Sequence, residues 1–145
     1  MKRLLFIPIL LMMLLGCKSN ENDSVAAQSA ALQSIIGKWL MTETEQVVNG
    51  KLVWTKATTL TPVYLSFSPE GVPLDSDGLA FCCGPDELYV NSSNIKIDPK
   101  ARLPYLNEAC SKVNCISCPT MDIEQSGNEI ILSYCQGARI KYVRI

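Results

Sequence analysis

Residues 47–53 read Val-Val-Asn-Gly-Lys-Leu-Val, and this stretch decides the fold class. An Asn-Gly pair between two runs of β-branched and apolar residues is the strongest short-range signal for a β-hairpin. The sequence therefore predicts two antiparallel strands that turn at Asn49 and Gly50.

Further along the chain, apolar and polar residues alternate in several short stretches that turn residues separate. This alternation predicts strands at 63–67, 95–97, 121–124, 129–134 and 140–145. Many short strands joined by tight turns are typical of an antiparallel sandwich or barrel. We therefore predict an all-β fold, a small antiparallel up-and-down barrel of about seven or eight strands, with a two-sheet β-sandwich as the alternative.

The N-terminal end has the order of parts of an export signal. Lys2 and Arg3 precede an apolar stretch at 4–15, and Leu14-Leu15-Gly16-Cys17 follows. This stretch is shorter than the roughly 20 residues that a membrane-spanning helix needs. The arrangement resembles the lipobox of bacterial lipoproteins, which implies cleavage before Cys17 and lipidation of its side chain. A transmembrane anchor or an ordinary cleaved signal is the alternative.

This resemblance predicts three segments. Residues 1–16 form a lipoprotein signal peptide, residues 17–34 a lipidated Cys17 with a flexible tether, and residues 35–145 the folded domain. The tether is polar and lacks aromatic residues, although the apolar residues and alanines of 24–36 also allow a short helix. In such lipoproteins an aspartate directly after the lipidated cysteine favours retention in the inner membrane, and this chain has Lys18 there. We therefore expect the protein to be anchored in the cell envelope, at the outer membrane, with the face of that membrane left open.

The charge balance indicates which partners fit. The chain has 13 basic and 14 acidic residues, and removing Lys2 and Arg3 with the signal leaves 11 against 14, a net charge of −3. Nucleic-acid binding needs a basic face, so no nucleic-acid partner is expected. Membrane attachment is accordingly assigned to the lipid on Cys17.

Three short motifs resemble those of small bacterial lipoproteins that are lipocalin-like. They are Gly37-Lys38-Trp39 at the first strand, Phe67 with Gly71 in the middle, and Tyr142-Val143-Arg144-Ile145 at the end. The resemblance implies a barrel whose base is closed by Gly37 and Trp39, with an arginine of the last strand stacked over the tryptophan.

Two arginines of the last strand are candidates for this stack. First and last strands of a closed up-and-down barrel are antiparallel neighbours, so the start of one meets the end of the other. We therefore expect Arg144, rather than Arg139, to reach Trp39. A solvated Arg144 without a partner is the alternative.

Six cysteines remain after Cys17, and an even number in an exported chain predicts disulfides. Their connectivity is open, and we expect them to tie the irregular segments 81–87 and 109–119 to each other and to the strand that ends at residue 135. Zinc binding, an iron–sulfur cluster and a redox role for 115–118 are the alternatives. The disulfide candidates are Cys82, Cys83, Cys110, Cys115, Cys118 and Cys135.

The sequence offers little chemistry for catalysis. It contains no histidine, which excludes Ser-His-Asp, Cys-His and histidine–metal sites, and it has no glycine-rich phosphate loop. The acidic pairs at 43/45, 75/77 and 86/87 are expected to be solvated, and 75–78 departs from a calcium loop at its fifth and sixth positions. We therefore predict a protein that is not an enzyme and has no cofactor or bound metal.

Two functions fit these expectations. The first is a lipid-anchored, non-catalytic lipoprotein whose barrel binds a small apolar ligand, since barrels of about eight strands can hold one. The alternative is a protein-interaction or inhibitor-type scaffold that has a filled barrel and disulfide-tied contact loops. The expected partners are the membrane, through the lipid, and either an apolar ligand or an envelope protein.

Overall fold

The computed structural model describes residues 21–116, 118–135 and 137–145. The predicted signal peptide, Cys17 and Lys18 lie outside the described residues. One α-helix, α1 (Glu21–Ile35), precedes the strands, and two 3-10 helices, Pro99–Tyr105 and Glu108–Lys112, lie between the sixth and seventh strands. The strands are β1 (Gly37–Val48), β2 (Lys51–Lys56), β3 (Tyr64–Phe67), β4 (Pro73–Leu74), β5 (Glu87–Val90), β6 (Ser93–Lys96), β7 (Thr120–Ser126), β8 (Glu129–Tyr134) and β9 (Ile140–Arg144).

The nine strands of the described residues form a single curled sheet with the order β4-β3-β1-β9-β8-β7-β5-β6. Strand β2 pairs with the same edge of β1 as β3, further along that strand. The predicted all-β, barrel-like fold is confirmed, and the sheet is not divided into the two sheets of the alternative sandwich. First and last strands, β1 and β9, are antiparallel neighbours, as expected for an up-and-down barrel.

One pair of strands departs from the up-and-down order. Strand β7 pairs in parallel with β5 rather than antiparallel with β6, so β6 lies at the edge of the sheet. A parallel pair requires a long crossover, and the connection from β6 to β7 at 97–119 supplies it. The 3-10 helices and several of the cysteines lie in this crossover.

The hairpin predicted from residues 47–53 is confirmed. Val48 pairs with Lys51, and the two turn residues Asn49 and Gly50 have φ angles of 52° and 74°. Positive φ at both positions defines the type I′ turn, whose twist matches that of the flanking strands.

Helix α1 packs against the sheet at the end where β1 begins. Ile35 is fully buried, and Ala31 and Leu32 lie against the core. Gly71, in the turn between β3 and β4, has a φ angle of 85°, and a side chain there would lie 3.1 Å from Leu32 of the helix. Glycine is therefore required where the helix crosses this turn. Residues 21–35 are helical, and this helix covers most of the stretch 24–36 for which the sequence allowed one. No helix in the described part of the chain has the length and apolar character to span a membrane.

Candidate functional site

The two ends of the curled sheet are closed in different ways. At one end, which we call the base, β1 begins, β9 ends, and the last turn of α1 packs against them. At the opposite end, which we call the rim, β1 and β8 end and β5 and β7 begin. The crossover 97–119 leaves β6 and enters β7 at the rim, so this end carries most of the irregular structure.

Three disulfides hold the rim together. Cys82 is bonded to Cys110 and Cys83 to Cys115, so two adjacent cysteines before β5 fix two points of the crossover. The third bond joins Cys118, before β7, to Cys135, after β8. The predicted ties between 81–87, 109–119 and the strand ending at residue 135 are therefore present. Sulfurs paired in this way are not the free thiolates that the zinc and iron–sulfur alternatives require.

Hydrogen bonds from Arg102 and Tyr134 give the rim further support. The Arg102 guanidinium donates to the carbonyl oxygen of Pro85 and to the Asp86 carboxylate, the latter at 3.2 Å. The Tyr134 hydroxyl donates to the carbonyl oxygen of Cys83. Sequence reasoning missed both roles, because neither residue belongs to a motif.

The crossover exposes large apolar side chains although it is covalently fixed. Neither 3-10 helix contains a buried residue. Four apolar residues between 103 and 116 are exposed by 46% to 85%, and we call them the rim patch: Leu103, Leu106, Val113 and Ile116. Sequence reasoning missed them because the crossover has no periodicity from which burial can be predicted. Contiguous exposed apolar surface marks protein interaction sites, and these four residues lie close together in sequence on one disulfide-tied segment.

A groove of about 500 Å³ lies beside the Cys118–Cys135 bond. Ile116 and Tyr134 form part of its wall, and Asp122 and Ser133 lie along the outer face of β7 and β8. The groove is open to solvent and connects the rim patch, through Ile116, with the side of the sheet. It is therefore a surface cleft rather than the interior of a barrel.

Large apolar side chains fill the inner face of the described strands. Fully or nearly fully buried residues come from β3, β5, β7 and β8 as well as from β1. The bulkiest of them are Trp39, Leu65, Leu88, Met121, Ile123 and Ile130. A core filled by its own side chains is one of the two outcomes expected for a barrel of this size.

Trp39 and Arg144 close the base together. The Arg144 guanidinium carbon lies 4.2 Å from the centre of the Trp39 ring, and the two residues are paired across β1 and β9. Arg144 also donates to the carbonyl oxygens of Ser34 and Ile36 at 2.5 and 2.6 Å, while the Trp39 indole donates to that of Ile35 at 2.8 Å. These bonds satisfy the carbonyls that the end of α1 leaves unpaired, and the cation is favourable there.

Gly37 makes the close approach of Arg144 possible. Its φ angle is 125°, and a side chain at this position would lie 2.9 Å from a guanidinium nitrogen of Arg144. Only glycine fits both constraints without strain. The structure thus places Gly37, Trp39 and Arg144 together, whereas Arg139 lies beside Trp54, 5.7 Å from its ring.

We expect the substitution Arg144→Ala to lower the free energy of unfolding by about 2–3 kcal/mol, because it removes two charge-assisted hydrogen bonds and a cation–π contact. Arg139→Ala is the matched control, because Arg139 makes partly exposed ion pairs with Glu45 and Glu124 and a more distant contact, 5.7 Å, with the ring of Trp54. Such pairs contribute about 0–1 kcal/mol, so the control should be nearly neutral. Urea unfolding of both variants checks this ranking, and equal effects would contradict the assigned role of Arg144.

The acidic pairs lie on the outer face or in turns. Glu43 forms an ion pair with Lys141 at 3.0 Å, and this hydrogen-bonded contact raises the pKa of Lys141. A hydrogen bond from Asn94 lowers the pKa of Glu87. A general acid needs the opposite shift, so Glu87 is poorly suited to donate a proton at neutral pH.

Residues 75–78 form an ordinary turn. The Asp75 carboxylate accepts hydrogen bonds from the backbone N–H groups of Asp77 and Leu79, which occupies it within its own loop. Among the described residues, no three acidic or cysteine side chains are grouped to hold a metal ion.

Comparison with models of protein families, with curated proteins and with solved structures finds no match.

Proposed function

We propose that this chain is a lipid-anchored, non-catalytic lipoprotein of the cell envelope that contacts another protein through its rim. The observation that carries the proposal is the rim patch, whose four apolar side chains are solvent-exposed on a segment fixed by disulfides. A rigid segment loses little conformational entropy on binding, so its apolar surface contributes more fully to affinity.

The filled inner face favours this function over the carrying of a small apolar ligand. A ligand inside the sheet would have to displace buried side chains such as Trp39, Leu88 and Met121. Interiors are close-packed, and such displacement costs several kcal/mol. The surface groove beside Cys118 is wide and open, and it does not enclose a ligand as small-molecule sites do.

The stack of Arg144 on Trp39 supports the proposed kinship with lipocalin-like lipoproteins, since both residues occupy the positions that this resemblance implies. In such a protein Cys17 carries the lipid. Three residues separate Cys17 from Glu21, where α1 begins in the described chain, so the anchor lies within about 14 Å of that helix. A domain held this close to a bilayer meets partners in the same membrane or at its surface.

We expect Cys17→Ala to abolish membrane attachment, because the lipid is the proposed source of it. The measurement is fractionation of cells into soluble and membrane material, with metabolic labelling by palmitate. Lys18→Ala is the control and should still be labelled and membrane-bound. An alanine variant that stays in the membrane fraction would overturn the proposed anchor.

The contact role is tested by photo-cross-linking in cells. A photo-reactive residue at Ile116 should give a discrete adduct, whereas the same residue at Leu60, a fully exposed position in the loop between β2 and β3, should not. A co-expressed unchanged chain should reduce the adduct about two-fold by mass action. A co-expressed chain with Leu106→Asp and Val113→Asp should leave it unchanged.

Two results would contradict the contact role. One is an adduct of equal yield from Leu60, which would show nonspecific collision. The other is equal competition by the doubly substituted chain, which would show that the rim patch does not bind the partner. Native mass spectrometry of the purified full chain tests the alternative function, since a retained small molecule would favour ligand binding.

A further inference from the structure

The end of the β1–β2 hairpin protrudes beyond the rest of the sheet. The N–H group of Glu45 donates to the carbonyl oxygen of Arg139 at 2.8 Å, just before β9 begins at Ile140. Beyond Glu45, β1 pairs only with β2 among the described residues. Residues 46–53 are all exposed, and we call them the hairpin tip.

The hairpin tip carries apolar side chains on both faces. Val47 and Leu52 face each other across the two strands on one side, with 70% and 67% of their surfaces exposed. Val48 and Val53 lie on the opposite side, with 45% and 38% exposed. Cross-strand apolar pairs such as Val47 and Leu52 stabilise a hairpin, yet these four side chains keep 38% to 70% of their surface exposed.

The outer edge of β2 is available for hydrogen bonding. Strand β2 pairs with β1 alone in the described part of the chain. Val48 and Lys51 flank a two-residue turn and therefore form a hydrogen-bonded pair. Along the hairpin, hydrogen-bonded pairs alternate with pairs whose backbone groups point outwards, and Leu52 and Trp54 belong to the second kind. The backbone groups of Leu52 and Trp54 therefore point away from β1, towards the free edge.

Both ends of this edge are positively charged. Lys51 and Lys56 are exposed and make no ion pair with a described residue. Glu43 lies opposite Lys56 in the register, yet its carboxylate contacts Lys141 of β9 at 3.0 Å instead. The hairpin tip contains no acidic residue, and the carboxylates of Glu43 and Glu45 on β1 are paired with Lys141 and Arg139. The edge therefore combines two exposed lysines with apolar surface.

We propose that the free edge of β2 binds an extended, acidic segment of a partner protein as an additional antiparallel strand. Strand addition uses the backbone groups of Leu52 and Trp54 for affinity and the flanking side chains for selection. Lysines on an edge oppose pairing with a second copy of the same edge, because the like charges approach each other. The same lysines favour a partner with carboxylates at both ends of its strand. This edge is separate from the rim patch, and the proposal stands independently of the contact role proposed above.

The test uses two synthetic peptides with blocked ends, Glu-Val-Thr-Val-Thr-Glu, whose two glutamates have the same spacing as Lys51 and Lys56, and the version with lysine at both ends. Each is added at millimolar concentration to the full chain in nonionic detergent, and amide hydrogen exchange is followed by mass spectrometry at single-residue resolution. The acidic peptide should protect the amides of Leu52 and Trp54, and the lysine peptide should not. The acidic peptide with proline at its third residue, opposite Trp54, should lose this protection, because proline cannot donate to a ladder.

Charge reversal tests the selection. The double substitution Lys51→Glu and Lys56→Glu should weaken binding of the acidic peptide about ten-fold and permit binding of the lysine peptide. Lys100→Glu with Lys112→Glu, on exposed positions of the crossover, is the matched control and should change neither affinity.

The proposal is overturned if neither peptide protects Leu52 and Trp54, or if both protect them equally. It is also overturned if these amides become protected without peptide as the chain concentration rises, since the occupant is then a second copy.

Discussion

Replacing Trp39 by alanine should destabilise the domain more than replacing any other residue of the base. The side chain is fully buried, and its indole donates to the carbonyl oxygen of Ile35 and lies under Arg144. Truncation of a buried tryptophan costs about 3–5 kcal/mol, and it also leaves the end of α1 without one of its hydrogen bonds. For a domain of this length, we expect thermal unfolding to shift down by about 10–20 °C.

Two controls separate the contributions to this effect. Trp39→Phe keeps an aromatic ring under Arg144 but removes the bond to Ile35, so it should cost about 1–2 kcal/mol. Trp54→Ala removes a half-buried ring from the outer face and should cost less than Trp39→Ala. Thermal and urea unfolding of the three variants checks the order. Equal losses at Trp39 and Trp54 would contradict the assignment of the base as the main closure.

The second large effect is expected when the crossover is released from its disulfides. Cys83 and Cys115 are 32 residues apart in sequence, and chain entropy assigns about 3–4 kcal/mol to a single bond of this span. The Cys82–Cys110 bond closes almost the same loop, so the second of the two bonds adds less than the first. In the variant with Cys82, Cys83, Cys110 and Cys115 all changed to alanine, we expect rapid amide exchange at 99–116. The amides of β1, β8 and β9 should stay protected, because the two 3-10 helices contribute no buried residue to the core.

The bond between Cys118 and Cys135 provides the matched comparison. It spans 17 residues and joins the ends of β7 and β8, which the pair Met121 and Tyr134 already brings together. Changing both cysteines to alanine should cost less and should leave exchange at 99–112 unchanged. If exchange rises equally along the whole chain in either variant, the crossover is part of the cooperative core and the prediction is wrong.

The strands with strong local signals could be predicted from the sequence. Asn49 and Gly50 specify the first hairpin, and the alternation around Met121 and Ile140 places β7 and β9 within a few residues. Strand β5 could not be predicted, because its four residues follow Gly84-Pro85 directly and resemble the end of a loop. The partner of β7 depends on a crossover of more than 20 residues, and local patterns carry no information about such a pairing.

The base illustrates the same limit. A motif resemblance predicted that Arg144 lies over Trp39, but not that the guanidinium also caps α1. The helix itself was uncertain, because the stretch before residue 35 is polar and weakly amphipathic. Its ordering depends on the burial of Ile35 against strands that lie far along the chain. The connectivity of the disulfides could not be predicted from the sequence either, because it depends on how the crossover passes over β5.

The pairing of β1 with β9 has a consequence for the timing of folding. Ile36 and Arg144 are 108 residues apart, and a ribosome needs about 5–20 s to synthesise that length. Until then, the edge of β1 that pairs with β9 has no partner strand, and the indole of Trp39 has no contact with Arg144. For an exported chain the wait also includes passage across the membrane, so this edge stays open for much longer than the microseconds in which a hairpin forms. A holding factor that masks β1 until the last strand emerges would benefit this protein more than one that speeds the formation of its hairpins.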